Sequence, residues 1–337
     1  MKLIRKKTLF FIVSSMLLAA SQGYAQDIHF SQFYNAPLLV NPANTGNFVG
    51  RYRVSTSYKN QWQSISNTYK STFASADLFI PSKNLGVGLT FFNDKSGKSK
   101  MGITQANISL SYNLKINGSN HFITGLQYGV GQRSMRLDDL KWDSQFNGSA
   151  YDPSLASGEQ QYSDSYSFMD VSFGMVWNYT ASHSQSRFKN SLGIAMFHAN
   201  QPRQSLSGTE KLYSKFVFNL NNQFKLADRN IYILPQLLYS KQGPYNELNV
   251  GSLVKFTLGE EGGDLIRSNR IDKRYSTASV YVGGQLRYKD AVVLMSAFEF
   301  RKGLLLSVSY DLNISKLQAA SRLRGGVELA LTYRGYF

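Results

Sequence analysis

The chain has 337 residues, a formal net charge of +16 and no cysteine, which excludes a disulfide framework and a lipidated N-terminal cysteine. Hydrophobic residues make up 42%, ordinary for a water-soluble chain, whereas aromatics reach 14%. Beyond the N-terminal run no apolar stretch reaches about 18 residues, so no transmembrane helix is expected.

At the start, Lys2, Arg5, Lys6 and Lys7 precede an apolar run over 9–20 and small residues ending Gly23, Tyr24, Ala25. The run is shorter than the roughly 20 residues a spanning helix needs. This is the pattern of a cleaved signal peptide over 1–25, with Gln26 as the mature start.

Residues 26–46 read QDIHFSQFYNAPLLVNPANTG. Pro37 and Pro42 bias the residues before them to extended backbone, so no helix should run through either. Asn41, Pro42, Asn44, Thr45 and Gly46 supply turn chemistry. Phe30, Phe33, Tyr34, Leu38, Leu39 and Val40 nevertheless need cover. Two readings fit equally: a plug-like segment in the mouth or lumen of a barrel, with Phe30, Phe33 and Tyr34 buried, or an ordered tail packed on a soluble domain.

From 47 to 337 the hydrophobic period is two. In 166–180, Met169, Val171, Phe173, Met175, Trp177 and Tyr179 alternate with Asp170, Ser172, Gly174, Val176, Asn178 and Thr180. The same alternation opposes Tyr52, Val54 and Tyr58 to Arg53, Ser55, Ser57 and Lys59, and Val327, Leu329, Leu331 and Tyr333 to Glu328, Ala330, Thr332 and Arg334. A helix would scatter these sets around its circumference, whereas a tilted membrane-spanning strand of about 9–11 residues keeps them on two faces. One face meets lipid and the other water or a plug, which explains the unremarkable overall hydrophobicity.

The pattern predicts an all-β transmembrane antiparallel β-barrel of about fourteen strands, near 50–60, 68–79, 85–94, 101–114, 120–132, 166–180, 187–199, 211–226, 230–241, 246–258, 277–289, 291–301, 303–312 and 323–335. Pro235 falls inside the ninth and predicts a bulge or locally open pairing, because it lacks a ladder donor. No internal repeat and no second globular domain is visible. The last strand ends on Tyr336 and Phe337, like the aromatic-terminated strands by which outer-membrane barrels are recognised for insertion.

Loop lengths then suggest an orientation. With both termini periplasmic, the longest connection, 133–165, faces outward and carries Trp142, Phe146, Tyr151 and Tyr162, residue types that anchor interfaces. The connection 259–276, with mixed acids and bases, falls on the periplasmic side against the usual length rule. Arg51, Arg53, Lys59, Lys215, Lys255, Arg287 and Arg334 lie on polar faces, predicting an electropositive lumen that takes an anionic segment or neutralises acids of the N-terminal segment. An exported chain without a basic cluster is no candidate for nucleic acid.

Catalytic signals are lacking. His29, His121, His183 and His198 are scattered, and neither a nucleophile elbow nor a phosphate loop occurs. No catalytic, cofactor or metal residue is expected. Asp170, an acid within a strand, reads best as a structural partner of a basic neighbour.

Several short motifs carry a resemblance: HFSQFY at 29–34, NPA at 41–43, YKNQW at 58–62, GVGLTFFND at 86–94, GLQYGVGQR at 125–133, QGPY at 242–245 and SYDLNISKL at 309–317. In this order they resemble the PorP/SprF family of outer-membrane proteins of type IX secretion and gliding machineries, over nearly the whole mature chain. That resemblance implies a non-enzymatic outer-membrane barrel that helps secrete a large surface adhesin, or anchors it there, and that contacts periplasmic parts of the machinery. A related resemblance to fatty-acid-transporter barrels implies the alternative, a channel for a small hydrophobic solute.

Overall fold

The computed structural model describes residues 27–61, 69–97, 101–135, 141–157, 165–181, 188–203, 211–226, 230–258, 278–300, 303–315, 321 and 323–335. The signal-peptide stretch 1–25, Tyr162, Phe337 and the 259–276 connection lie outside these residues.

Fourteen antiparallel strands close into a barrel in sequence order. They are β1 (Tyr52–Gln61), β2 (Tyr69–Ile80), β3 (Leu85–Ser96), β4 (Met101–Lys115), β5 (Asn120–Ser134), β6 (Ser165–Thr180) and β7 (Phe188–Phe197). The second half comprises β8 (Lys215–Lys225), β9 (Ile231–Gln242), β10 (Tyr245–Leu258), β11 (Ala278–Arg287), β12 (Ala291–Phe300), β13 (Leu304–Asn313) and β14 (Arg324–Gly335). Closure is made by β1, which pairs with β2 on one side and, from Tyr52 opposite Gly335 to Gln61 opposite Gly326, with β14 on the other. Closure leaves no unpaired edge, the condition for crossing a bilayer with strands.

Each strand runs as its alternation predicts. In β6 Met169, Phe173, Met175 and Trp177 face outward, while Phe168, Asp170, Ser172 and Val176 are buried on the lumen side. Outward Leu89, Ile108, Leu110, Leu294 and Leu329 continue the apolar belt around the barrel. At the ends of β6, β7 and β8 nearest the start of β1 the rings of Trp177, Tyr179, Phe188 and Phe224 follow one another at 6.4, 6.1 and 4.9 Å. Such an aromatic row is the girdle that marks a membrane–water interface.

Two local departures have clear causes. The β8–β9 ladder passes from Asn221–Gln236 directly to Phe224–Ile233, leaving Asn222 and Gln223 unpaired beside Pro235 and Leu234. This is the open pairing expected of Pro235, whose ring nitrogen has no hydrogen to donate. β8 starts at Lys215, not near 211, because residues 211–212 pair with 202–203 instead of continuing the strand. Leu212 N–H donates to Pro202 O at 2.9 Å, Arg203 and Lys211 form an isolated bridge, and Leu212 is buried.

The segment before β1 packs against lumen-facing side chains of the strands. It contains a 3-10 turn at Phe33–Asn35, one helical turn at Pro37–Val40 and a 3-10 turn at Pro42–Asn44. Both prolines open a turn, where a missing N–H costs nothing, and none is passed through. Asn41 caps the third turn, its side-chain oxygen accepting from Ala43 N–H at 2.9 Å. Lumen-facing apolar side chains receive the segment. Phe30 and Ala36 pack with Phe73 and Phe92; Phe33 and Val40 pack with Ala195, Phe197, Val217 and Leu238; and Ala43 meets Ile123 and Val176. Phe30 and Phe33 are each 4% exposed, and Tyr34 is half-buried against Phe33. Covering a ring of that size is worth about 1.5–3 kcal/mol.

Candidate functional site

The lumen wall holds the N-terminal segment at three levels. At the end carrying the long 135–164 connection, Asp27 Oδ2 accepts from His198 Nε2 at 2.7 Å and lies 3.5 Å from Lys215 Nζ, while Gln242 donates to Asp27 Oδ1 at 3.1 Å. His198 also reaches Asp170 Oδ1 through Nδ1 at 2.9 Å. Both ring nitrogens thus face carboxylate oxygens, an arrangement satisfied by the imidazolium donating to each. Burial disfavours that charge, but Asp27 and the hydrogen bonds to Asp170 and Asp27 outweigh it and push His198 up to about 9. Burial likewise opposes ionisation of Asp27, yet His198 and Lys215 hold its carboxyl well below the usual carboxylate range.

Near the middle, Glu328 on β14 accepts the backbone N–H groups of Ser31 and Gln32 at 2.7 and 3.1 Å. Asp311 on β13 accepts from the Ser31 hydroxyl at 2.8 Å and from Arg287 at 2.9 Å, with Lys59 Nζ at 3.5 Å. Gln285 donates to Ser31 O at 2.6 Å. Toward the end where β1 starts, Asn41 donates to the carbonyls of Met175 and Ile194, both at 3.0 Å. Arg53 grips Asp77 through Nε and Nη2 at 2.9 and 2.7 Å, and the pair reaches the chain at Asn44 O and Gly46 N–H. Two wall glycines make room for this turn. A Cβ on Gly125 would sit 2.3 Å from Ala43 N, and one on Gly86 would sit 2.3 Å from Thr45 O.

These contacts bear on two expectations. The inward cations chiefly pair with wall acids: Arg53 with Asp77, Lys59 and Arg287 with Asp311, and Lys255 and Arg334 with Glu299. The segment's single acid, Asp27, is neutralised from the wall by Lys215 and His198. Asp170 is a structural partner of His198 and Gln105. Sequence reasoning missed Asp27, His198, Glu328 and Asp311 as the segment's holders. The available signal was acids on lumen-facing strand positions, which carry no hint of what they face.

Of the residues proposed for partner contact, three converge. Trp142 starts a 3-10 turn at Asp143–Gln145, Phe146 bridges Tyr151, and Lys141 lies 4.7 Å from the Tyr151 ring centre. Phe146 is 58% and Tyr151 37% exposed. Buried Gln145 ties this hairpin together through Leu155 O at 3.2 Å. Tyr162 lies outside the described residues. Among the described residues no group of three or more His, Asp or Glu is placed to hold a metal ion.

A closed barrel with an apolar outer belt, an aromatic girdle and a polar, internally bonded lumen is an integral outer-membrane protein. The family model for "Type IX secretion system membrane protein PorP/SprF" matches residues 22–333. The chain therefore belongs to the PorP/SprF family, outer-membrane components of the type IX secretion system. No curated protein matches it. Among solved structures it is similar to the CymD monoaromatic hydrocarbon channel, at 8% identity over 94% of this chain and 95% of that one with a TM-score of 0.46. The P. putida toluene transporter TodX follows at 9% identity, 90% and 94% coverage and 0.45. A KdgM porin in complex with oligogalacturonate stands at 7%, 84%, 99% and 0.40.

Proposed function

We propose that this protein is a non-enzymatic partner-holding component of the type IX machinery, needed to secrete a large adhesin or retain it at the surface. The observation that carries this reading is the lumen: the 27–47 segment is bonded to the wall from Asp27 to Asn47, a plug arrangement suited to a docking platform and unsuited to a conduit. The polar lining, rich in Ser, Asn and Gln, also disfavours passage of a hydrophobic solute. The Trp142, Phe146 and Tyr151 hairpin supplies exposed aromatic anchors on the longest connection, which outer-membrane barrels turn to the cell exterior.

Replacing 136–164 by a short Gly-Ser turn should leave the barrel inserted and heat-modifiable on gels while abolishing surface display or movement of the adhesin. Display at the wild-type level would move the contact elsewhere.

A further inference from the structure

The outward face of the barrel carries a polar border on one side. At the ends of β2 and β3 nearest the long connection, Lys70 and Lys95 are direct cross-strand neighbours, both exposed and both on the lipid-directed side. Such partners stand about 4.5–5.5 Å apart at Cβ, where like charges repel. Among the described residues neither lysine has a carboxylate within ion-pair distance. Directly below them in register, Thr72, Asn93, Thr104 and Gln132 form an unbroken outward row across β2–β5. Within it Asn93 donates to Thr104 Oγ1 at 2.6 Å. The next row, Ala74, Phe91, Ala106 and Val130, begins the apolar belt, with Phe91 45% and Val130 52% exposed. On the far wall β11, β12 and β13 stay apolar outward to the same end, at Leu286, Val292 and Leu312.

We infer that this border binds the phosphorylated headgroup of a glycolipid in the outer leaflet. A phosphate carries more than one negative charge and several acceptor oxygens, so one group between the two ammonium ends turns their repulsion into attraction. Lysine stems lie along the apolar surface while the charged ends stay in the headgroup layer. The Thr104 hydroxyl, which accepts from Asn93, keeps its own hydrogen to donate, and Gln132 adds a carboxamide for further oxygens or sugar hydroxyls. The order of rows separates a lipid from a soluble acid. Cations, then hydrogen-bonding side chains, then the apolar surface of Phe91 and Val130 follow one another down the wall. An amphiphile with acyl chains matches all three rows, whereas an acidic protein matches the first two. This site goes beyond the adhesin reading and requires only that the end with the long connection faces the cell exterior.

The test uses the full mature barrel in lipid-free detergent, with binding read by native mass spectrometry and stability by the temperature of gel conversion. Diphosphoryl lipid A should bind about tenfold tighter than its dephosphorylated form. Lys70→Gln together with Lys95→Gln should weaken it by about the same factor. Lys241→Gln, at an outward lysine whose cross-strand neighbours are Phe216 and Asn246, should leave binding unchanged. Without lipid the double variant should convert at or above the wild-type temperature, because the repulsion is gone; added lipid A should raise the wild-type temperature more than the variant's. Binding indifferent to the phosphates or to the two lysines overturns the inference. So does a double variant that converts at a lower temperature without lipid, since the lysines would then already be stabilising the wall. Displacement of lipid A by an equal concentration of inorganic phosphate overturns it in favour of a simple anion site. Tighter binding of an alternating Glu-Thr nonapeptide than of lipid A overturns it in favour of an acidic protein partner.

Discussion

His198 is the residue on which the outermost hold on the N-terminal segment turns, since one imidazolium serves both Asp27 and Asp170. Its raised folded value, about 9 against 6.5, sets the sign. The contribution is complete below about 6.5, declines as pH rises and is gone above about 9. Amide exchange over residues 27–34, corrected for intrinsic rates, should therefore accelerate between pH 7 and 10 in the wild type. In His198→Gln it should be fast throughout. Protection that stays constant to pH 10 in the wild type would remove His198 as the latch. At the third level of contact the deciding residue has no side chain. Gly125→Val places a branched side chain where Ala43 N would lie 2.3 Å from its Cβ. Relief requires the Pro42–Asn44 turn to lift, at a cost of about 1–3 kcal/mol. Proteolysis of the 27–50 stretch in the otherwise folded barrel should rise, and a resistant variant would show that the wall yields instead.

Among the strands, β6 shows the separation of lipid from lumen clearly. Phe173 is 45% exposed on the belt and Ser172 is 1% exposed on the lumen face. Arginine at Phe173, midway along the strand, should cost about 2–4 kcal/mol of barrel stability. Arginine at Ser172 would be mild in a water-filled barrel, as the alternation alone suggests, but here the lumen opposite is packed. Its penalty should fall when 27–44 is deleted, while that of Phe173→Arg persists; equal penalties in both backgrounds would mean the two faces share one environment. Strand number and faces were legible because alternation is a local property, readable from each ten-residue window. The Pro235 opening was legible for the same reason, since the missing donor belongs to one residue. The start of β8 was not. Its boundary depends on Leu212 donating to Pro202, a tertiary choice between two equally strand-like continuations.

Considered as a whole, the molecule is a closed barrel, and we propose that its own N-terminal chain acts as a plug that completes the interior. The segment enters beside Asp27 and leaves beside Asn47, which accepts from Asn178 at 2.8 Å. Deleting 27–44 would expose Phe73, Phe92, Ile123 and Val176 to water and leave Glu328 without its two backbone donors. The deleted barrel should conduct in planar bilayers and convert to the unfolded gel mobility at a lower temperature than the parent. Unchanged conductance and thermal conversion would show that the wall closes without the segment.

Alternation, the turn residues and the apolar stretch after position 25 were enough to determine a closed fourteen-stranded barrel and a segment in need of cover. Each of those properties is carried by neighbours in sequence. The partners of Asp27, the pairing of Lys59 and Arg287 with Asp311, and the facing of Lys70 by Lys95 were decided only in three dimensions. A lumen-facing position sees residues from strands up to some 300 positions away, as Ser31 sees Glu328 across a separation of 297. Strand period says which face a side chain takes, whereas closure and register select the groups it meets there.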